Sequence, residues 1–256
     1  MNTFDTSGAW REERTRQLAR GVTLGFVPTM GALHDGHLSL VARSRAENDR
    51  TLVSVFVNPT QFNDAADLQA YPQPLVRDLE LLRGAGADFV LLPRRDDIYP
   101  DGYLYKVVET SLSRTLEGVH RPGHFDGMLT VVLKLFQLAE AERAYFGEKD
   151  WQQLLLVRGM TEAFFLRTDV IACPTVRESD GLAYSSRNQR LSADERRKAP
   201  ALYRILSTAP TPEAANHELT EAGFAVDYVE ERDGRRLAAV RLGGVRLIDN
   251  VPADAG

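Results

Sequence analysis

The chain has 256 residues, of which 43% are hydrophobic and 26% charged, a composition typical of a globular protein with a substantial core. Its net charge of −5 gives no indication of a nucleic-acid partner. The single cysteine, Cys173, excludes a disulfide within the chain, the first residues lack the apolar segment of a signal peptide, and no stretch is long enough to span a membrane. We therefore expect a cytoplasmic protein without a nucleic-acid or membrane partner.

Strands and helices alternate along the first part of the chain. Apolar runs rich in β-branched residues predict strands, and apolar residues at helical spacing predict helices between them. The predicted strands cover residues 22–27, 51–57, 87–92 and 170–176, and the predicted helices include positions 38–45, 75–82, 128–138 and 151–165. Such alternation is typical of an α/β, Rossmann-like fold, in which helices cover both faces of a parallel sheet.

The pattern changes after residue 176, which predicts two domains, 1–176 and 177–256. A capping box at Ser192–Glu195 and the sequence Thr211-Pro-Glu predict two helix starts. Glycine-containing hairpin turns separate three short predicted strands, at 226–231, 237–242 and 245–248. We expect a small α+β second domain that contains an antiparallel meander and acts as a lid.

The segment PTMGALHDGHLSL, from Pro28 to Leu40, contains two histidines at helical spacing. Pro28 is expected to end the first strand and Leu38 to begin the apolar face of the first helix, so His34 and His37 should share one side of the junction. Parallel sheets bind ligands at this end of their strands, where free helix N–H groups suit phosphate. A zinc site and a purely structural role remain alternatives, although no other Cys or His pair has a matching spacing. A nucleotide site is the favoured interpretation.

Longer motifs extend this interpretation. HDGH resembles the HxGH signature of the nucleotidyltransferase-like superfamily, which includes the class I aminoacyl-tRNA synthetases. The chain also resembles the pantothenate synthetase (pantoate–β-alanine ligase) family in linked motifs that stand in the family's order between Val27 and Asn188: VPTMGALHDGH, VFVNPTQF, RPGHFDGM, YFGEKDWQQL and PTVRESDGLAYSSRN. The C-terminal meander carries less motif information and looks short for the family.

The resemblance implies an ATP-dependent ligase of pantothenate and coenzyme A biosynthesis. Pantoate would attack the α-phosphate of ATP to give pantoyl adenylate and pyrophosphate, and β-alanine would then displace AMP, with Mg²⁺ accompanying ATP. The resemblance also suggests a homodimer. Two alternatives are another HxGH nucleotidyltransferase with a phosphorylated substrate and a non-catalytic binding relative; the presence of His37, Lys149 and Arg187 counts against the second of these.

The resemblance places the family's catalytic groups on a few residues of this chain. His34, His37, Lys149 and the Ser185-Ser186-Arg187 stretch are expected to act on the triphosphate, and His37 takes the family's proton-donor position. The serine-containing stretch resembles the KMSKS loop of the synthetase relatives and could close over the phosphates. Asp150 suits ribose hydroxyls better than phosphate, because an ionised carboxylate only accepts hydrogen bonds. The expected nucleotide contacts are Met30, Gly31, His34, Gly36, His37, Gly147, Glu148, Lys149, Asp150, Val176, Tyr184, Ser185, Ser186 and Arg187.

Neutral side chains are expected to bind pantoate, which carries a carboxylate and two hydroxyls. Carboxamides can orient such a ligand without holding its nucleophilic carboxylate in an ion pair. Gln61 and Gln153 match the family's pantoate positions, and Met30 and Phe62 could form an apolar wall for the methyl groups. Tyr184 departs from the family, which usually has Met or Leu at that position.

Several further positions have two possible roles. Arg121 and His124, in RPGHF, match family positions and could contact substrate or anchor a loop. Asp78 is a candidate Mg²⁺ ligand. It lies in YPQPLVRDLELL, where Gln73 replaces the family's usual arginine and Arg77 its usual acid. If one helix included positions 73 and 77, they would share a face, which could be a solvated face or could border the triphosphate and its magnesium.

Overall fold

The computed structural model describes residues 1–253; residues 254–256 of the predicted second domain lie outside the described residues. The strands are β1 (Asn2–Phe4), β2 (Leu24–Thr29), β3 (Arg50–Val55), β4 (Phe89–Leu91), β5 (Arg143–Gly147), β6 (Asp169–Cys173), β7 (Ala225–Arg232), β8 (Arg235–Leu242) and β9 (Val245–Pro252). The helices are α1 (Ser7–Leu18), α2 (Asp35–Glu47), α3 (Ala65–Gln69), α4 (Leu75–Ala85), α5 (Arg95–Ile98), α6 (Glu117–His120), α7 (His124–Ala139), α8 (Trp151–Ala163), α9 (Ala193–Lys198), α10 (Ala201–Thr208) and α11 (Pro212–Glu221). None of the helices within residues 1–253 combines the length and the apolar character that a membrane crossing requires.

Six strands form one parallel sheet in the order β1–β4–β3–β2–β5–β6. From β2 the chain adds β3 and β4 on one side, and it then returns to add β5 and β6 on the other. Gly25 and Phe26 of β2 pair with Arg143 and Ala144 of β5. This neighbouring pair is the topological switch point, and its carboxyl ends border the crevice where such sheets bind ligands. The predicted histidine turn follows β2, and Gly147 ends β5.

Helices pack on both faces of this sheet. Phe26 and Val27 are consecutive residues of β2, so their side chains leave the strand on opposite faces. Val27 belongs to a buried cluster with Val41 of α2 and Leu82 of α4. The ring centroid of Phe26 lies 6.3 Å from that of Phe136 on α7, which covers the other face. The predicted α/β fold is therefore confirmed.

The antiparallel sheet has its own core. Its strands lie in the order β7–β8–β9. Leu202 of α10 and Leu219 of α11 are buried with Val240 of β8 in one apolar cluster. The predicted capping box is present, since the backbone N–H of Ser192 donates to Oε2 of Glu195 at 2.7 Å and the reciprocal bond is 3.3 Å. The predicted helices and meander are confirmed.

The chain divides into two compact units. The first contains Met1–Gly147 and Gln152–Cys173, and the second contains Glu148–Trp151 together with the chain from Pro174 onward. The turn that carries Lys149 therefore belongs to the unit of the antiparallel sheet, although it follows β5 directly. The sequence pattern predicted a single boundary at residue 176. It contained no signal that residues 148–151 belong to the second unit.

Pro28 lies inside β2, which ends one residue later, so the prediction that Pro28 ends the strand is wrong. The backbone N–H of Phe56 donates to the carbonyl oxygen of Thr29 at 3.1 Å, so the backbone of Thr29 faces β3. The backbone of Pro28 then faces the β5 side, where the pairing is confined to Gly25 and Phe26. The missing N–H of proline therefore leaves no ladder hydrogen bond unmade.

β1, α1 and β5 have no counterpart in the sequence prediction. The buried face of α1 consists of Trp10, Arg14 and Gln17, so it has little apolar periodicity. Arg14 is fully buried, and its Nη2 donates to the carbonyl oxygen of Glu140 at 2.6 Å and to the carboxylate of Glu142 at 3.1 Å. The ring of Trp10 packs against Phe4 of β1 and Phe89 of β4, with centroids 5.4 and 5.7 Å apart. The helix is therefore held by one large ring and by polar contacts, and a hydrophobic pattern does not show the latter.

The helix that contains Arg77 is shorter than the sequence hypothesis requires. α4 begins at Leu75 with Pro74 as its N-cap, so Gln73 lies before the helix. The condition for Gln73 and Arg77 to share a helix face is not met. Arg77 is exposed to solvent, whereas the adjacent Asp78 is 1% exposed.

Candidate active site

The turn after β2 is built around the carboxylate of Asp78. Gly31 and Ala32 both have positive φ angles, 80° and 50°, and the backbone amides of Ala32 and Leu33 converge on that carboxylate. Each amide donates to one oxygen of Asp78 at 2.8 Å. Successive amides in turns of this kind form a concavity that binds anions, and here the protein fills it with its own side chain. Asp78 therefore anchors the turn that leads to the histidines.

Crowding by the protein itself explains the glycine at position 31. A Cβ atom on Gly31 would lie 3.0 Å from Oδ2 of Asp78 and 3.0 Å from Cγ1 of Val55, and the positive φ also favours glycine. Close approach of phosphate to Gly31 and Gly36 stays a prediction. Magnesium ligation by Asp78 also stays a prediction, since both of its oxygens accept backbone amides. Within residues 1–253 no group of three or more His, Cys, Asp or Glu side chains could hold a metal ion, so the zinc alternative gains no support.

His34 and His37 occupy the first turn of α2. His34 is the N-cap, and its carbonyl oxygen accepts hydrogen bonds from the backbone amides of His37 and Leu38 at 2.8 and 3.1 Å. The backbone N–H of His34 donates to Nδ1 of His37 over a long 3.4 Å, and the two ring centroids lie 4.1 Å apart. With Nδ1 as acceptor, neutral His37 carries its proton on Nε2 and can donate from there. Both residues are half-buried at a helix end that stabilises anions.

A chain of buried polar side chains holds Gln61. Nδ2 of Asn58 donates to Oε1 of Gln61 at 3.0 Å, and the hydroxyl of Tyr99 donates to Oδ1 of Asn58 at 2.7 Å. Oγ1 of Thr60 also donates to Oδ1 of Asn58, at 3.0 Å. Because the oxygen of Gln61 is engaged by Asn58, Nε2 of Gln61 is the end that can donate to a ligand.

Sequence reasoning missed Asn58 and Tyr99. Asn58 stands before Pro59 and caps the short 3-10 turn Pro59–Gln61, so an asparagine-initiated turn was a usable signal. Nothing in the local sequence connects Tyr99 to this turn. Burial raises the pKa of Tyr99 to about 12, and its hydroxyl therefore remains a neutral donor at ordinary pH.

Arg121 and His124 contact the same turn. His124 is 6% exposed, and its Nδ1 donates to the carbonyl oxygen of Gln61 at 2.8 Å. Nη1 of Arg121 donates to Nε2 of His124 at 3.1 Å, which is consistent with a proton on Nδ1. These contacts support the loop-anchor alternative for both residues, and direct substrate contact stays a prediction.

The adjacent glutamines of α8 differ in their surroundings. Nε2 of Gln152 donates to the carbonyl oxygens of Leu112 and Thr115 at 2.7 and 2.8 Å, and its Oε1 accepts from the backbone N–H of Glu117 at 3.0 Å. Gln152 is thus a buried structural anchor, whereas the predicted pantoate residue Gln153 is half-buried.

The two apolar residues expected at the pantoate site are partly accessible. Met30 and Phe62 are both half-buried. The ring of Phe62 packs edge-on against Tyr71, with the centroids 5.6 Å apart. This contact restrains the ring, and the proposed apolar wall stays a prediction.

In the second unit, Lys149 lies in a 3-10 turn that spans Glu148–Asp150. Nδ2 of Asn250 donates to the carbonyl oxygens of Glu148 and Lys149 at 2.9 and 3.0 Å. The side chain of Lys149 is 18% exposed, and its Nζ lies 3.9 Å from Oδ1 of Asp150. The side chain of Asp150 is 47% exposed, and its expected contact with ribose stays a prediction.

The Ser185–Arg187 stretch follows a tight hairpin of the second unit. The backbone N–H of Tyr184 donates to the carbonyl oxygen of Val176 at 3.1 Å. Oγ of Ser185 caps the next 3-10 turn by accepting from the backbone N–H of Arg187 at 3.3 Å. Asn188, which sequence reasoning did not select, donates to the carbonyl oxygen of Ala183 at 3.0 Å and closes the turn.

Comparison with known proteins identifies the family. A family model described as pantoate–β-alanine ligase matches residues 2–252. This chain belongs to the pantoate–β-alanine ligase family. The pantothenate synthetase of Bdellovibrio bacteriovorus is 51% identical over 243 residues, which cover 95% of this chain and 94% of the relative. The pantothenate synthetase of Legionella pneumophila (strain Corby) is 49% identical over 250 residues, 98% of this chain and 99% of the relative.

Solved structures of pantoate–β-alanine ligases share the fold. The enzyme from Francisella tularensis, complexed with beta-gamma ATP and beta-alanine, superimposes with a TM-score of 0.94 at 40% identity and covers 100% of this chain and 99% of its own. Pantothenate synthetase from Thermus thermophilus gives a TM-score of 0.91 at 42% identity, covering 98% of this chain and 99% of its own. The resemblance seen in the motifs is confirmed.

In this member of the pantoate–β-alanine ligase family, the predicted site residues fall into two groups. The first unit contains Met30, Gly31, His34, Gly36, His37, Gln61, Phe62, Asp78, Arg121, His124, Gly147 and Gln153. The second unit contains Glu148, Lys149, Asp150, Val176, Tyr184, Ser185, Ser186 and Arg187. Each group has side chains that can donate to phosphate, whereas the two amides predicted for pantoate both lie in the first unit.

Proposed function

We propose that this chain is an ATP-dependent ligase that condenses pantoate with β-alanine to pantothenate. The reaction passes through enzyme-bound pantoyl adenylate and releases pyrophosphate and AMP. The observation that carries the proposal is the histidine turn at the switch point of the sheet, in a chain that matches the pantoate–β-alanine ligase family over residues 2–252.

The first step joins two anions, so its barrier is mainly electrostatic. The carboxylate of pantoate is ionised at neutral pH and needs no general base to become a nucleophile. Its oxygen attacks the α-phosphorus of ATP, and the bond from that phosphorus to the oxygen of the leaving pyrophosphate breaks. Donors and cations aimed at the phosphate oxygens lower this barrier.

The proposed donors are two histidines, a lysine and a serine–arginine stretch. His34 and His37 stand at the amino end of α2, where the helix amides add partial positive charge, and Nε2 of His37 is the proton-bearing donor. Lys149 adds a point charge, and Ser185–Arg187 adds hydroxyls and a guanidinium. Asp150 accepts from the ribose hydroxyls.

Neutral amides orient pantoate. Because Asn58 engages the oxygen of Gln61, Nε2 of Gln61 donates to pantoate. Gln153 supplies the second amide, and Met30 and Phe62 face the methyl groups. None of these side chains carries a charge, so the carboxylate of pantoate stays available for attack.

The second step forms the amide bond. The neutral amine of β-alanine attacks the acyl carbon of the adenylate, the carbon–oxygen bond to AMP breaks, and the nitrogen loses a proton. Magnesium would accompany ATP, because it usually binds through substrate phosphates and few protein ligands. The residues within 1–253 do not fit a protein-enclosed magnesium site, since they offer no group of three acidic, His or Cys ligands.

The test is an assay that separates the two half-reactions. Purified protein with ATP, magnesium and pantoate should release pyrophosphate in an amount stoichiometric with enzyme, and AMP should accumulate only after β-alanine is added. Mass spectrometry should identify the product as pantothenate. Adenylation of another substrate in preference to pantoate would overturn the proposal in favour of a different HxGH nucleotidyltransferase.

We also propose a cytoplasmic homodimer, as the family resemblance suggests. Several large apolar side chains of the first unit are exposed between positions 104 and 119, which is typical of an interaction surface. They are Leu104 (82% exposed), Tyr105 (78%), Val108 (50%) and Val119 (60%). A sedimentation mass equal to one chain would contradict the dimer.

The lid role of residues 177–256 stays a prediction.

A further inference from the structure

Two consecutive residues of β9, Asp249 and Asn250, support two separate segments of the second unit. Asp249 is 3% and Asn250 2% exposed. Successive side chains leave a strand on opposite faces, so one dipeptide can contact elements on both sides. No local motif marks either residue as part of a nucleotide site.

Asn250 holds the turn that carries Lys149. Nδ2 of its side-chain amide donates to the carbonyl oxygens of Glu148 and Lys149, at 2.9 and 3.0 Å. Its Oδ1 accepts from Nη1 of Arg235 at 2.9 Å. Arg235 also donates to Oε2 of Glu148 at 2.6 Å, and its guanidinium stacks on the ring of Trp151 at 4.2 Å. The backbone on either side of Lys149 is therefore tied to β8 and β9.

Asp249 holds the base of the hairpin that leads to Ser185–Arg187. Its carboxylate accepts both Nη1 and Nη2 of Arg177, at 2.6 and 2.9 Å, and the side chain is 1% exposed. Arg177 also donates to the carbonyl oxygen of Gly181 at 3.1 Å and pairs with Ala183 across the hairpin. A bidentate pair fixes orientation as well as distance. The backbone N–H of Asn250 donates to Oδ1 of Asp249 at 2.8 Å, which links the two supports.

We propose that Asp249 and Asn250 are positioning residues that hold the Lys149 turn and the Ser185–Arg187 hairpin in one fixed relation. A lysine is a point charge on a flexible stem, so the place of its ammonium depends on the backbone that carries it. Electrostatic stabilisation of phosphoryl transfer requires that charge in position before the reaction. This inference rests on the proposed function, because it assigns Lys149 to the triphosphate.

The test is a double-mutant cycle on the adenylation step. Asn250→Ala should lower the adenylation rate about 10- to 100-fold, by analogy with other misplacements of catalytic groups, and should leave the KM for pantoate unchanged. In a Lys149→Ala background the same substitution should change the rate less than about threefold, because residues that act as a unit are not additive. An equal factor in both backgrounds, or a parental rate for Asn250→Ala alone, would overturn the inference.

Arg236→Ala is the matched control. Arg236 is also buried and follows Arg235 on β8, but its side chain binds groups outside the Lys149 turn. It donates to the carbonyl oxygens of Leu206 and Ala209 and to Glu231. This variant should unfold at a lower temperature yet adenylate within about twofold of the parent. An adenylation loss equal to that of Asn250→Ala would show a general loss of stability and overturn the inference.

A second variant keeps the inference testable if Asn250→Ala does not fold. Arg235→Lys keeps a positive charge near Glu148 but removes the guanidinium, which donates to both Glu148 and Asn250. It should therefore lower the adenylation rate without changing the KM for pantoate. A parental rate would count against the positioning role. A parent enzyme that makes no pantothenate would instead overturn the proposed function, and the inference with it.

Discussion

The histidine turn of the first unit and the lysine turn of the second are held in different ways. A single carboxylate, that of Asp78, accepts the backbone amides of Ala32 and Leu33 in the first. The amide of Asn250 donates to two carbonyl oxygens in the second, and Arg235 adds an ion pair to Glu148.

The difference follows from which backbone groups each turn leaves unsatisfied. A turn with positive φ angles, followed by a helix start, exposes N–H groups, and an anion satisfies them. The lysine turn presents carbonyl groups, and only donors can satisfy those. We conclude that the first turn depends on one charged residue, whereas the second spreads its support over several neutral and charged contacts. Substitutions should therefore harm the first turn most.

Asp78→Ala should have the largest effect, because it removes the carboxylate that accepts the buried backbone amides of Ala32 and Leu33. We expect a loss of about 2–5 kcal/mol in the free energy of unfolding. The adenylation rate should fall at least about 10²-fold as the histidines lose their placement. Denaturant unfolding and pyrophosphate release measure the two quantities.

Asp78→Asn is the matched comparison for this position. Asparagine offers one acceptor oxygen and directs an NH₂ group at the second amide, so its effects should lie between parent and Asp78→Ala. If Asp78→Ala kept parental stability and rate, the contrast between the two turns would fail.

Tyr99→Phe should have a moderate effect that is confined to the binding of pantoate. Loss of the hydroxyl removes a hydrogen bond worth about 1 kcal/mol and leaves Asn58 less firmly oriented toward Gln61. The KM for pantoate should rise about fivefold, while the KM for ATP stays within about twofold. Steady-state kinetics with each substrate varied separately provide the measurement.

Tyr145→Phe is the control for the tyrosine prediction. Burial raises the pKa of Tyr145 to about 12 as well, but its hydroxyl bonds to Asn48 and Glu47 near the end of α2. This variant should lose similar stability without a change in the KM for pantoate. An equal KM for pantoate in Tyr99→Phe and the parent would contradict a role of Tyr99 in binding this substrate.

Arg77→Glu should have the smallest effect. Arg77 is exposed, and Gln73 lies outside the helix, so the solvated alternative is favoured over a face that borders magnesium. We expect a change in unfolding free energy within about 0.5 kcal/mol and an unchanged magnesium dependence of adenylation. Tighter apparent magnesium binding in the variant would restore the hypothesis that this position adjusts the local charge.

The sequence was most informative where contacts are local. The strands around Phe26 and Val53, the capping box at Ser192 and the hairpin turns near Gly234 follow from short-range periodicity and turn chemistry, and all are present. It was least informative at α1, whose buried Arg14 carries no apolar pattern. Pro28 was misjudged because its effect depends on where the neighbouring strand stops.

The sequence by itself determined the fold class, the family and the histidine motif, because alternating apolar periods and contiguous motifs are readable within a few residues. Only the tertiary structure decided which polar side chains hold the candidate site. Asp78 meets the histidine turn across 45 and 46 positions, and Asn250 meets the lysine turn across 101 and 102. Hydrogen bonds at such separations are set by how the elements pack, and they leave no periodic trace in the chain.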